Sequence, residues 1–214
     1  MPELCLGLPN LRYVHIRFAL SLMALRVPDL TRIISYERVM IDSVRNMIAK
    51  RALEGNYEYL LFLDDDMTFP PNLYFRLKAR KKKIIGALAF KREPPFEPCV
   101  YKKKGKYFYP FFPPKGCVEV DAIGAAGLLI HTSVLKKIKY PWFETGYDEE
   151  GNHWSVDFDF CKKAKKAGFK IFCDSTIEMG HIGSNPIITK EHFLKFHENA
   201  NSKRDKFNRK LGNR

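Results

Sequence analysis

The sequence predicts an α/β fold: a single Rossmann-like domain with a mostly parallel central sheet flanked by helices. Three observations carry this. Short apolar runs alternate with stretches whose apolar residues recur at helical spacing. Gly, Pro or Asn punctuates the joins between them. One run, YLLFL (59–63), is apolar throughout, as a parallel strand buried on both faces should be. A chain of 214 residues with 45% hydrophobic and 14% aromatic content suits one globular unit with a substantial core.

The elements follow in order. ELCLGLP (3–9) reads as a buried strand. Val14, Phe18, Leu22 and Leu25 fall three and four apart, which predicts a helix that Val27-Pro28 stops. RIISYE (32–37) predicts a second strand, and Val39 to Leu53 a second helix closed by Gly55-Asn56. Tyr57 to Leu63 is the third strand. Pro70-Pro71 open the helix NLYFRLKARKKK, and IIGALAF (84–90) is again strand-like. From Lys91 to Val120 prolines cluster among aromatics and lysines, which predicts loops and a β-hairpin in CVYKKKGKYFY. VEVDAIGAAGLLIH, a helix in TSVLKKI, an acidic aromatic loop, a helix near Asp157–Ala167 and a strand KIFCD complete the domain, taken as residues 1–186. Residues 187–214 form a basic helical tail: a docked helix, a frayed end or a contact to an anionic membrane surface.

The net charge of +13 implies an anionic partner or a solubilising lysine surface. Five cysteines without a CxxC pair argue for reduced thiols. No run approaches a membrane span, and the first residues do not resemble a secretory signal. The expected location is cytoplasmic, with peripheral membrane contact through the tail.

The chemistry concentrates in LFLDDDM. Ligands of open α/β sheets bind at the carboxyl ends of strands, so Asp64, Asp65 and Asp66 emerge at that edge. Strand alternation puts Asp64 and Asp66 on one side and Asp65 on the other. Two carboxylates on one side suit Mg²⁺ or Mn²⁺. Asp157 continues the apolar stripe of Phe160, Cys161 and Ala164 at a helix start, either as an N-cap or as a general base aimed into a cleft. Arg45 lies on the apolar face of its helix and needs an anion, either a phosphate or a carboxylate of the DDD group, unless it snorkels to water. His181, between Gly180 and Gly183, is a candidate metal ligand or a surface residue.

In this order the pieces resemble a GT-A glycosyltransferase of the inverting glycosyltransferase family 2, from LCLGLP to about Gly183. LLFLDDDM resembles the DxD-bearing strand, and VRNMIAKRAL the helix before it. VDAIGAAGLLIHTSVL is similar to the segment lining the donor-sugar and acceptor pocket. WFETGYDEEGNHWSVDFDFCKKAKKAGFKIF is similar to the aromatic loop, which includes Trp154, and the acidic helix. Val156 stands where the family usually has a Glu, so Asp157 alone matches the catalytic acid, with Asp159 as a stand-in for the second. GHIG matches the place of a third metal ligand. The resemblance implies a hexosyltransferase-type enzyme with Mn²⁺ or Mg²⁺ held by Asp66, Asp64 and His181, and with Asp157 as the base. Leu8, Pro9, Arg45, Asp64, Asp65, Gly124, Gly127 and Trp154 would bind donor and acceptor. The implied donor is a UDP- or GDP-sugar, and the acceptor a carbohydrate, a lipid-linked sugar or a protein. A metal-dependent phosphoryl-transfer enzyme (a nuclease or nucleotidyltransferase) and a basic nucleic-acid-binding module are the competing readings; no specific nucleic acid is expected.

Overall fold

The computed structural model describes residues 2–10, 13–147, 150–151, 153–183 and 187–200. The first half runs β1 (Leu4–Asn10), α1 (Ile16–Ala24), β2 (Arg32–Glu37), α2 (Ile41–Glu54), β3 (Tyr59–Leu63), β4 (Met67–Thr68), α3 (Leu73–Ala79) and β5 (Ile84–Leu88). A region of short strands follows: β6 (Val100–Lys104), β7 (Tyr107–Pro110), β8 (Cys117–Val120), β9 (Ala122–Ile123) and β10 (Gly127–His131). The chain continues through α4 (Ser133–Lys137), β11 (Gly146–Tyr147), β12 (His153–Trp154), α5 (Val156–Lys166), β13 (Ile171–Glu178), β14 (Gly180–Ile182) and β15 (Ile187–Ile188). A further helix covers 190–200.

The central sheet has the order β2-β1-β3-β10-β5-β13-β8. It is mixed rather than mostly parallel. β10 lies antiparallel between β3 and β5, and β8 lies antiparallel on β13, while the β2-β1-β3 and β5-β13 pairs are parallel. An apolar run such as GLLIH looks the same whichever way the strand points, and only the connections decide its direction.

Strand alternation is clear in β3. Leu60 and Phe62 enter a core with Ile48, Phe143 and Phe160, whereas Leu61 and Leu63 enter a second core with Phe18, Leu73 and Leu77 on the opposite face. Both faces are therefore covered, which is why Leu60 to Leu63 carry no polar side chain. Gly7 shows how closely α2 lies on the sheet. A Cβ there would stand 2.7 Å from Ile48 Cγ2 and 2.9 Å from Phe62, too close for either to remain in place. The helix expected over NLYFRLKARKKK stops at Ala79, because Arg80 caps it and Lys81 takes a left-handed φ of 52°. The lysine run thus belongs to the turn into β5.

Three small sheets dress the ends of the large one, with orders β11-β12, β15-β14-β4 and β7-β6-β9. The second of these brings β14 against β4, directly after the carboxylates. Phe193 of the 190–200 helix packs 5.7 Å from Phe90 and stacks on Phe112 at 5.1 Å, so this part of the tail is docked. The basic stretch 204–214, proposed from sequence for a lipid contact, lies outside the described residues. All five cysteines are free thiols.

Candidate functional site

β3 delivers the carboxylates to the sheet edge, but the strand ends at Leu63 and the acids lie in a turn. The Asp64 amide donates to the Ala126 carbonyl at 3.4 Å, and the Met67 amide closes on the Asp64 carbonyl at 3.3 Å. Strand alternation therefore stops before it can pair Asp64 with Asp66, and the two have different partners. Asp64 accepts from Arg45 Nη2 at 3.1 and 3.2 Å, one bond to each oxygen. Asp66 Oδ2 lies 3.0 Å from His181 Nε2 and 3.5 Å from Arg92 Nη1. Asp65 is half-buried in the same turn.

Arg45 is 3% exposed and sits on α2 with Val44 and Ile48. Its guanidinium lies 5.2 Å from the Phe62 ring centroid. Besides Asp64 it meets Asp157, with Nε 3.6 Å from Oδ1. Of the two anions left open by sequence, the structure supplies the carboxylate. Burial pushes the Asp64 carboxyl up, Arg45 pulls it down, and Asp157 and Asp66 push it up again, leaving it above the usual range. Arg45 Nε and Nη1 and Asp157 Oδ1 are buried without a hydrogen bond, so the cluster holds unspent donors and an unspent acceptor.

Asp157 comes from α5, whose buried Phe160, Cys161 and Ala164 anchor it; Phe160 stacks on Phe143 with centroids 4.8 Å apart. The N-cap position is Ser155, so Asp157 is not the cap. It lies in the first turn, where a carboxylate favours the helix dipole, and its Oδ2 accepts from the Ala125 amide at 3.1 Å. A cavity of about 80 Å³ opens beside it, lined by Cys99, Tyr101, Gly124, Ser155 and Phe158. Burial, then the Asp157 charge, pushes the Cys99 thiol up to about 12. Beyond Phe158 a wider cleft of about 760 Å³ runs between the β6–β7 hairpin and Trp154.

His181 is oriented from both sides. Its Nδ1 lies 2.7 Å from the Phe90 carbonyl. A carbonyl only accepts, so Nδ1 carries the proton. Nε2 then faces Asp66 either as the second N–H of an imidazolium or with a lone pair that needs a cation. Burial lowers His181, but Asp66 and the Phe90 carbonyl outweigh it and leave its pKa raised. Burial raises Asp66, and His181 followed by Arg92 brings it below the usual range.

Of the predicted residues, Arg45, Asp64 and Asp157 form one cluster, and Asp66 with His181 another. Among the described residues, no group of three His, Cys, Asp or Glu side chains converges as a metal-binding set. Gly124 borders the cavity, where a Cβ would lie 3.8 Å from Asp157 Oδ2. Gly127 instead makes room for Met179, whose Sδ occupies the place of a side chain. Leu8 and Pro9 are buried in β1, where the Leu8 carbonyl accepts from the Ser35 hydroxyl at 2.8 Å. Trp154 packs on Gly146 and lies under Lys162 Nζ at 5.2 Å. Arg92, the Ala125 amide and the Phe90 carbonyl were not anticipated. Nothing in KREPP distinguishes Arg92 from a surface cation, and backbone groups leave no mark in a sequence.

No family model matches the chain, and no curated protein does. Solved structures do match. The chain is similar to A197 from STIV at 18% identity and a TM-score of 0.64, covering 89% of this chain and 91% of that one. It is also similar to GalNAc-T7, solved with UDP, GalNAc and Mn²⁺, at 12% identity and a TM-score of 0.57. That match covers 92% of this chain and 48% of GalNAc-T7, so the chain spans about half of that protein's length. At these identities the likeness is one of fold, and it supports a GT-A-like architecture.

Proposed function

We propose that the chain is a metal-dependent glycosyltransferase that moves a sugar from a nucleoside-diphosphate sugar to an acceptor hydroxyl with inversion. The observation that carries this is the meeting of Asp66 and His181 at the carboxyl edge of β3, with Asp157 held nearby by Arg45 and the Ala125 amide. The fold shared with GalNAc-T7, a structure containing UDP, GalNAc and Mn²⁺, supports the reading.

The donor set fits a hard divalent ion. One carboxylate, Asp66, meets one imidazole, His181, whose Nδ1 proton is held by the Phe90 carbonyl so that Nε2 is turned towards the carboxylate. Asp66 and His181 would hold Mn²⁺ or Mg²⁺, which supplies Lewis acidity to the diphosphate leaving group. Asp64 is engaged by Arg45 and serves better as a spacer that keeps the guanidinium in place. Asp157 accepts the proton of the acceptor hydroxyl as that oxygen attacks the anomeric carbon, while Arg45 keeps the carboxylate oriented. The cavity at Gly124 and Ser155 leads the hydroxyl to it, and the wider cleft past Phe158 and Trp154 takes the rest of the acceptor. Backbone at Leu8 and Pro9, with Asp65, borders the nucleotide.

The test is a thermal-shift screen of UDP-, GDP-, CMP- and dTDP-sugars with and without Mn²⁺, on the native chain and on Asp66→Ala. A shift that needs both sugar nucleotide and Mn²⁺, and that Asp66→Ala abolishes, is expected. If no donor gives a metal-dependent shift, the proposal is wrong.

A further inference from the structure

Helix α1 presents an unusual surface. Only Phe18 of its nine residues is buried. Ile16, Leu20 and Met23 are 65%, 57% and 84% exposed, and their spacing of four and three puts them on one side of the helix. The apolar surface continues beyond the helix. Leu30 is 71% exposed and Ile33 56%. Ile33 pairs with Leu6 in the β1–β2 register, so it lies on the sheet face that carries the core of Phe18 and Leu6. β2 is the edge strand of the large sheet, so nothing in that sheet covers it further out. Large apolar side chains exposed together rather than singly mark a contact surface.

Exposed cations lie in the same stretch of chain, Arg17 on α1 and Arg26 just past it, whereas Arg32, opposite Cys5 in the register, is on the other face of β2 from Ile33. Arg17, Arg26, Arg32 and Arg38 are exposed, and among the described residues none forms an ion pair; Asp29 and Glu37 are the acids of the same stretch. The position also matters. α1 packs on β4, Phe18 contacts Phe69 edge-to-face at 6.0 Å, and the Arg26 amide donates to the Pro71 carbonyl at 2.7 Å. The patch therefore adjoins the segment that leaves the Asp64–Asp66 turn.

From this geometry we infer that α1 and the Leu30–Ile33 edge dock on an anionic lipid surface, and that the acceptor is presented there. The second clause rests on the glycosyltransferase reading; the docking itself does not. Apolar side chains enter the acyl boundary while arginines meet headgroup phosphates. A second copy of the chain fits this surface less well, because each copy brings its own arginines and a net charge of +13.

The experiment is co-sedimentation of the full chain with vesicles of phosphatidylcholine alone and with added phosphatidylglycerol, without donor or metal. Variants are Leu20→Glu/Met23→Glu, whose exposed positions leave the core intact, and a chain lacking 201–214. Native and tail-less chains are expected to bind the anionic vesicles, and the double variant about tenfold more weakly or worse. Undiminished binding by the double variant overturns the inference, as does loss of binding on removing 201–214. A dimer in solution that the same variant breaks also overturns it, in favour of self-association. Asp66→Ala should bind vesicles as the native chain does. A donor screen that fails beside intact vesicle binding overturns only the enzymatic reading.

Discussion

Arg45 holds together two carboxylates that would otherwise repel each other. It lies 3.1 Å from Asp64 and 3.6 Å from Asp157. Removing a cation from between two half-buried anions costs more than the ion pairs contribute, because the anions remain. Arg45→Met should lower stability by about 3 kcal/mol, reduced somewhat by the partial exposure of both acids. Adding Asp64→Asn should recover part of that loss, and urea titration of the single and double variants measures it. Equal losses in both would show that the cluster is not coupled. Asp157→Asn should lower kcat by about 10²–10⁴-fold with donor affinity kept. A comparable rise in KM with kcat unchanged would assign Asp157 to binding. At this scale the sequence revealed which residue types were present and which were out of place: an Arg on an apolar face, an acid on an apolar stripe, a His between glycines. It did not reveal the pairings. Alternation grouped Asp64 with Asp66, and the turn after Leu63 assigned them to Arg45 and His181 instead.

Elements were easier to read than their directions. β1, β2, β3, α2 and α5 all lie where period and punctuation place them, because both signals come from residues neighbouring in sequence. The antiparallel insertion of β10 depends on contacts far along the chain and escaped that reading. One cross-link between elements carries a pH dependence. Asp174 on β13 is 1% exposed and accepts from Arg80, just past α3, at 2.6 Å and from the Thr176 hydroxyl at 2.6 Å. Burial pushes its carboxyl up, but Arg80 and Thr176 outweigh burial and hold it below the usual range. Since the folded pKa lies below the unfolded one, the link stabilises fully above the ordinary carboxylate pKa and is lost as pH falls through the folded value. Asp174→Asn should therefore cost about 2 kcal/mol at neutral pH. The gap in urea midpoint between native and variant should close towards pH 3; a gap independent of pH would mean that packing, not charge, makes the link.

For the molecule as a whole, charge and exposed apolar surface act together. Among the described residues no helix is long and apolar enough to cross a membrane. Raising salt should weaken binding to anionic vesicles without abolishing it, since the arginine contribution is screened and the apolar one is not. Complete loss at moderate salt, with the apolar side chains still present, would show that charge alone drives attachment. The composition indicated the charge, but not where apolar residues would stay uncovered. Of the stripe Val14, Phe18, Leu22 and Leu25, the fold buries Phe18 and Leu25, packs Leu22 against the same core and leaves Val14 exposed, while Ile16, Leu20 and Met23, outside the stripe, face outward.

The ribbon joining β4 to β14 has a consequence for how the protein comes into being. The Ile182 amide donates to the Asp66 carbonyl at 2.7 Å, and His181 pairs with Met67 in register, across 115 residues from His181 to Asp66. During synthesis the carboxylate turn emerges long before the imidazole that completes it, and closing so long a loop is favoured only once the strands between them have assembled. A chain ending before Gly180 would contain all three aspartates without the imidazole that meets Asp66. On the glycosyltransferase reading proposed above, Mn²⁺ affinity at Asp66 would then report that the last strands have docked.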